Sequence, residues 1–249
     1  MEYLTKNKLF KLLLALSLLI IGVVNAQTIK NKKVIVGSED LSKFYSELSE
    51  HHNVQTLYIG FVNYSEIDFA QLQKLKNVKS LSFSFIKKVC MEDFIEKVST
   101  IDQIDSLRLG SSNIKNLPST LYKLNFLDYL NFANNKIKNI EEQQKQLVVS
   151  ELDLSDNKIK SADVLGTSSI KRLDLTYNPF SAFPYCLGKV MELEVLQIGN
   201  WKKKLKINKG IQGFENLKWL TYLISYDRMN LRNDYFINNT EFQITNFRV

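Results

Sequence analysis

The sequence predicts an α/β solenoid: short strands stacked side by side, each followed by a return segment, all sharing one continuous core. Three observations carry this. Between Leu127 and Phe183 the chain reads LDYLNFANNKIKNI, VSELDLSDNKIKSA and IKRLDLTYNPFSAF, and each segment sets an apolar residue at its first, fourth, sixth and eleventh positions. Each also carries asparagine at the ninth, as Asn135, Asn157 and Asn178. The first-position residue recurs at Val54, Val78, Ile104, Leu127, Val149, Ile170, Leu193 and Leu217, with spacings of 24, 26, 23, 22, 21, 23 and 24 residues. Self-similarity at this period marks units that cannot bury their apolar faces alone and therefore stack.

This LxxLxLxxNxI wording resembles the leucine-rich repeat family. The resemblance implies about eight repeats over 54–228, a right-handed horseshoe coil with a concave parallel β-sheet, helical or irregular returns on the convex side, and a cap at each end. The ninth-position asparagine has a physical reason. Where the chain leaves the strand and turns inward, backbone groups lose their sheet partners in a buried place, and an amide side chain both donates and accepts there. The ladder is complete only in the centre, because the equivalent residues are Val62 and Ile86 at one end, Ser112 beside the centre, and Trp201 and Ser225 at the other.

Composition agrees with an ordinary folded chain: 249 residues, 45% apolar and 24% charged. At the N-terminus, Lys6, Lys8 and Lys11 precede an apolar run from Leu12 to Val24 that ends in Val24-Asn25-Ala26. That run is short of the roughly 20 residues that span a bilayer, so 1–26 reads as a signal peptide cut after Ala26 and the protein as exported, either secreted, periplasmic or surface-associated. Without that segment, 30 basic residues face 25 acidic ones, a net +5 against +7 for the whole chain. So small an excess selects no partner class.

Residues 27–53 read as an N-terminal cap. Lys33–Val36 is a β-branched opening strand, Ser38 an N-cap, and Leu41, Phe44, Tyr45 and Leu48 fall on one face of an amphipathic helix ended by His51 and His52. The third repeat (Leu117-Pro118, Leu121, Leu124) and the sixth (Phe183-Pro184, Leu187, Met191) carry the wording of short helical returns, whereas the 21-residue fifth requires a tighter turn. Residues 229–249 form the second cap, with Phe242 and Ile244 alternating as in an edge strand. Cys90 and Cys186 lie four repeats apart, about 19 Å at strand spacing, too far for a disulfide. Both are expected as unpaired thiols packed on the convex side.

The family resemblance implies binding through the concave face, where the second, third, fifth, seventh and eighth positions point outward. Across repeats three to seven these columns hold Asp105, Asp128, Glu151, Asp153, Asp156, Asp174 and Glu194 against Arg108, Lys171 and Arg172, so this centre is acidic within a basic chain. Tyr129, Asn131, Glu151, Asp153, Arg172, Asp174 and Tyr177 form the expected contact core for a protein partner, with Trp219 as a flanking anchor. The competing reading is that these polar residues only solvate the sheet. A second surface reading, adhesin-like attachment to an anionic polysaccharide or membrane surface, rests on Lys202, Lys203, Lys204, Lys206 and Lys209; as a plain alternative, that run is a solvated loop.

Catalytic signals are missing: the two histidines both lie in the cap helix, and no CxxC, HExxH, GxSxG or GxxxxGK[ST] occurs. Asp153, Ser155 and Asn157 alternate like a calcium loop, but Lys158 stands where its sharp turn needs glycine. No cofactor, metal, nucleic acid or small-molecule substrate is implied, and the chain is expected to be a non-enzyme. The sequons Asn63-Tyr64-Ser65 and Asn238-Asn239-Thr240 matter only in a host that glycosylates exported chains.

Overall fold

The computed structural model describes residues 33–124, 127–141, 147–200, 217, 219–225 and 232–238. The leader at 1–26, the lysine run at 202–209 and the pair Phe242 and Ile244 lie outside the described residues. Ten strands among those described form one sheet in strict chain order: β1 (Lys33–Val36), β2 (Thr56–Gly60), β3 (Ser80–Ser84), β4 (Ser106–Gly110), β5 (Tyr129–Asn131), β6 (Val148–Asp153), β7 (Ser169–Asp174), β8 (Val195–Asn200), β9 (Trp219–Ser225) and β10 (Arg232–Asn238). Strands β1 to β9 are mutually parallel, which requires a return segment behind the sheet after each strand. Among the described strands only β10 runs antiparallel, against β9; the edge strand expected around Phe242 falls outside the described residues.

Register follows the repeat. Thr56, Ser80, Ser106, Tyr129, Glu151, Arg172, Val195 and Trp219 pair in succession across eight strands, and the fifth column from Tyr58 to Thr221 runs parallel to it. The outer repeats, which lack the asparagine, keep the same register, because a one-residue slip would turn their apolar fourth and sixth positions to solvent. All eight first-position residues are buried, as are pairs such as Leu57 and Ile59, Leu107 and Leu109, and Leu152 and Leu154.

Repeat length decides how the chain returns. The 26-residue second repeat returns through helix α3 (Met91–Val98), and the 24-residue first through a 3₁₀ turn and the short helix α2 (Phe69–Leu72). The third, fifth and sixth repeats, of 23, 21 and 23 residues, return through 3₁₀ turns, at Ser119–Leu124, Asp163–Thr167 and Tyr185–Lys189. A 3₁₀ helix rises about 2.0 Å per residue against 1.5 Å for an α-helix, so fewer residues cross the same width. The fifth repeat therefore needs no special turn: its return is the same five-residue 3₁₀ device as the sixth's.

Behind the first repeats the core is aromatic. Phe83 and Phe94 meet edge to face at 5.2 Å, and Phe69 packs edge-on against Phe94 at 5.7 Å. Returns are also tied together across repeats by α3. Glu92 accepts from the backbone N–H groups of Ser119 (2.8 Å) and Thr120 (3.3 Å), and these bonds with the two hydroxyls hold its carboxyl below the usual range. Lys123 pairs with Glu96.

Three local expectations are corrected. Asp40, not Ser38, precedes helix α1 (Leu41–Ser46); Gly37 to Asp40 close a turn, and the Ser38 hydroxyl reaches out to Glu66 at 3.2 Å. The helix breaks after Ser46 and resumes as a 3₁₀ turn, Leu48–His51, although Leu41 and Phe44 are buried and Tyr45 and Leu48 pack on the core. Both cysteines are free, but Cys90 is exposed at the start of α3 rather than packed, since the apolar face of that helix is supplied by Phe94, Ile95 and Val98. Cys186 does pack against the core; burial and Asp163 push its thiol up to about 12, which favours the protonated form.

Candidate interaction face on the sheet

The solvent face of the sheet is built from the strand corners upward. At the eighth position the chain turns inward through the left-handed region at Phe61, Phe85, Ser111, Asn134, Asp156 and Tyr177, with φ between 48° and 60°. This geometry costs an ordinary residue about 1–2 kcal/mol, least for Asn and Asp, which explains Asn134 and Asp156. It is repaid in part by a sheet-like bond onward: the Asn134, Asp156 and Tyr177 N–H groups donate to Ser155, Thr176 and Gly199 of the next repeat at 3.0, 2.9 and 2.7 Å.

One residue later the asparagines serve the repeat before them. The Asn157 amide donates to Phe132, Leu154 and Ser155 carbonyls, while its oxygen accepts from the Ile137 N–H at 3.0 Å. Asn178 repeats the pattern one step on, to Leu154, Leu175, Thr176 and Ile159. Asn135 does the same for the third repeat and accepts from both Ser112 and Ile114. Each amide thus bonds to its own repeat and its predecessor.

The fifth column is fixed by a second local device. Asn131, Asp153 and Asp174 each accept, through a side-chain oxygen, the N–H of the residue two positions on: Ala133 (2.9 Å), Ser155 (2.9 Å) and Thr176 (2.8 Å). These turns let a short polar side chain stand in for the lost sheet partner at the strand end. Asn131 donates to the Tyr129 hydroxyl at 2.8 Å and to Asp153 at 2.5 Å.

Around this line, Arg172 lies 3.4 Å from Glu151, and the Arg108 guanidinium stands over the Tyr129 ring at 4.9 Å. Tyr129, Glu151, Asp153, Arg172 and Asp174 line one shallow depression of about 220 Å³, together with Val195 and Gln197. Burial pushes the Asp174 carboxyl above the ordinary range against the two Thr176 bonds that lower it, and neighbouring Asp153 pushes it further up. Burial also raises the Tyr129 hydroxyl. Tyr177 stands apart, past the end of β7, and Trp219 continues the third column one strand beyond Val195. Three participants, Arg108, Val195 and Gln197, were visible in the sequence only as members of the same columns.

No family model matches the sequence. Among solved structures, the chain is similar to internalin C2 of Listeria monocytogenes at 20% identity with a TM-score of 0.50, over 77% of this chain and 77% of that one. It is also similar to the internalin inlF of the same species, at 18% identity with a TM-score of 0.47, over 74% of this chain. It spans about half, 53%, of that protein's length. With nine parallel strands in repeat register, the internalin C2 match decides the fold.

The chain has the leucine-rich repeat fold. Among the described residues of this leucine-rich repeat chain, no group of three His, Cys, Asp or Glu side chains is placed to hold a metal ion. No helix among them is long and apolar enough to cross a membrane. What the sheet face offers chemically is a fixed array of carboxylates, one aromatic hydroxyl and two guanidinium groups.

Proposed function

We propose that this leucine-rich repeat protein is a non-catalytic interaction module that binds a protein partner through the concave face of its sheet. Tyr129, Asn131, Glu151, Asp153, Arg172 and Asp174 form the contact core, with Tyr177 and Trp219 at its margins. The observation that carries this reading is the fifth column: Asn131, Asp153 and Asp174 are each held by their own backbone turn before any partner arrives. A preorganised surface loses little conformational entropy on binding, and Tyr and Arg beside fixed carboxylates are the residue types that dominate interface energetics. The excess of carboxylates selects a partner patch that is basic or mixed in charge. We further read residues 1–26 as an export signal, 27–53 and 229–249 as caps, and 54–228 as the repeats.

The test is affinity capture from the native envelope and medium, run beside a double variant Asp153→Asn, Asp174→Asn. Asn131 already makes the same turn as a neutral amide, so the variant keeps the strand ends and loses only charge. A protein retained by the native chain and lost by the folded variant supports the sheet face as the site. Equal retention by both removes it.

A further inference from the structure

Beyond the ends of β2, β3 and β4 lies a groove that the repeat pattern does not account for. It encloses about 800 Å³, within the range of roughly 300–1,000 Å³ typical of ligand sites. Its floor is aliphatic, with Ile86 and Ile114 buried and Val89 and Met91 partly exposed. One wall is the stacked pair Phe61 and Phe85, with ring centroids 4.7 Å apart and planes 12° from parallel. Lys87, Lys88 and Lys115 are exposed on the rim, and no carboxylate lines the groove.

Two departures from the repeat create it. At the eleventh position, where the central repeats bury Ile137, Ile159 and Phe180, the second repeat has Lys88, solvent-exposed and left-handed at φ 57°. At the eighth, which is left-handed in all six repeats from the first to the sixth, two adjacent repeats carry Phe61 and Phe85, at φ 60° and 57°, bulky side chains for which that conformation is a genuine outlier. Asn134 and Asp156 fill that position at no such disadvantage. Phe61 nonetheless leaves 39% of its surface in water.

We propose that this groove is a second docking site, taking an acidic protein segment that carries an apolar anchor side chain. Charge complementarity names the flanks of that segment: Lys88 and Lys115, with Lys87 beside Glu66, leave the rim positive, and a positive rim attracts carboxylates. The aliphatic floor and phenyl wall name its anchor, since an apolar side chain buried there leaves no polar group unpaired. An oligosaccharide would find hydrogen-bonding groups on Ser111, Asn113 and Asn116, but the aliphatic floor and the three lysines favour the acidic, apolar-anchored segment, and the polygalacturonate arm of the test separates the two. A nucleic-acid strand would stack its bases on aromatic faces, and the oligo-dT arm of the test separates it from the acidic segment. The site is opposite in charge to the central sheet face and does not rest on that reading.

The test uses a displayed peptide library, with acidic residues flanking one Leu, Phe or Trp, selected on the purified chain. Winners are titrated as fluorescein-labelled peptides by anisotropy. An acidic, apolar-anchored peptide is expected to emerge, to weaken with salt, and to lose at least about tenfold in affinity in Lys87→Glu, Lys88→Glu. The Phe61→Asn, Phe85→Asn variant suits the left-handed backbone, so it is expected to keep the native melting transition and lose the peptide. Asp153→Asn, Asp174→Asn leaves this binding unchanged, which separates it from the sheet-face proposal. Selection without an acidic consensus, equal binding by the lysine variant, or tighter binding of oligo-dT or polygalacturonate would overturn the proposal.

Discussion

The first two repeats and the central ones solve the same corner in different ways. At Asn135, Asn157 and Asn178 a buried amide bridges each repeat to its predecessor, and its oxygen takes the otherwise unpaired N–H at the predecessor's eleventh position. In the first repeats the ninth position is apolar, Val62 and Ile86, and the corner is closed by backbone alone: Lys87 donates to the Val62 carbonyl at 3.0 Å, and Tyr64 donates to the Lys87 carbonyl at 2.9 Å. Ser112 stands between the two solutions, its hydroxyl accepting from Ile86 and donating to Gly110. The difference teaches what the asparagine is for. It serves the repeat before it, so a first repeat preceded only by β1 has no corner to be served, and a second repeat whose predecessor is already bridged needs no amide.

The largest effect expected from breaking that contrast is Asn157→Ala. The side chain is 1% exposed and its loss strands several buried backbone groups, so urea unfolding should show a loss of at least about 3 kcal/mol. The reciprocal change, Val62→Asn, places an amide at a fully buried position whose neighbouring corner is already bridged. It should destabilise by about 2 kcal/mol rather than extend the ladder. A stabilising Val62→Asn would mean that the backbone bridge and the amide are interchangeable.

Smaller changes sharpen the comparison. Glu92→Ala removes the carboxylate that ties α3 to the third repeat's 3₁₀ turn; about 1 kcal/mol should be lost. Because the Glu92 carboxyl is held low, its contribution is present at neutral pH and disappears as pH falls through that depressed value. Asp174 has the opposite sign. Burial raises its carboxyl, so the folded state binds the proton more readily, and stability falls as pH rises from the ordinary carboxylate value through the raised one. Asp174→Asn should therefore match or slightly exceed the native chain in thermal stability at neutral pH, and lose that advantage near about pH 4. A variant less stable at neutral pH would show that the Thr176 turn needs the charge.

Much of this was legible beforehand because the repeat is a covalent pattern with a packing consequence. The first, fourth and sixth positions had to be buried, and all eight first-position residues from Val54 to Leu217 are. Tyr129, Glu151, Asp153, Arg172 and Asp174 could be placed in neighbouring columns for the same reason. Ser38 and Cys90 were misplaced because a cap and a helix entry depend on which neighbour competes for each group, Glu66 for the one and Phe94, Ile95 and Val98 for the other. The turns under Asn131, Asp153 and Asp174 were not visible, since aspartate two residues before serine or threonine reads as a solvated strand until the strand's end is known.

The sequence by itself determined the period, the register and the residues that make up the core, because period-two burial repeated every 21 to 26 residues leaves the chain no other way to hide its leucines. Tertiary structure alone decided which way each unit returns, where backbone replaces asparagine, and that Phe61, Phe85 and three lysines of the second and third repeats meet around one groove. Those outcomes depend on contacts between residues about 20 to 30 positions apart, whose relative placement exists only once the units have stacked.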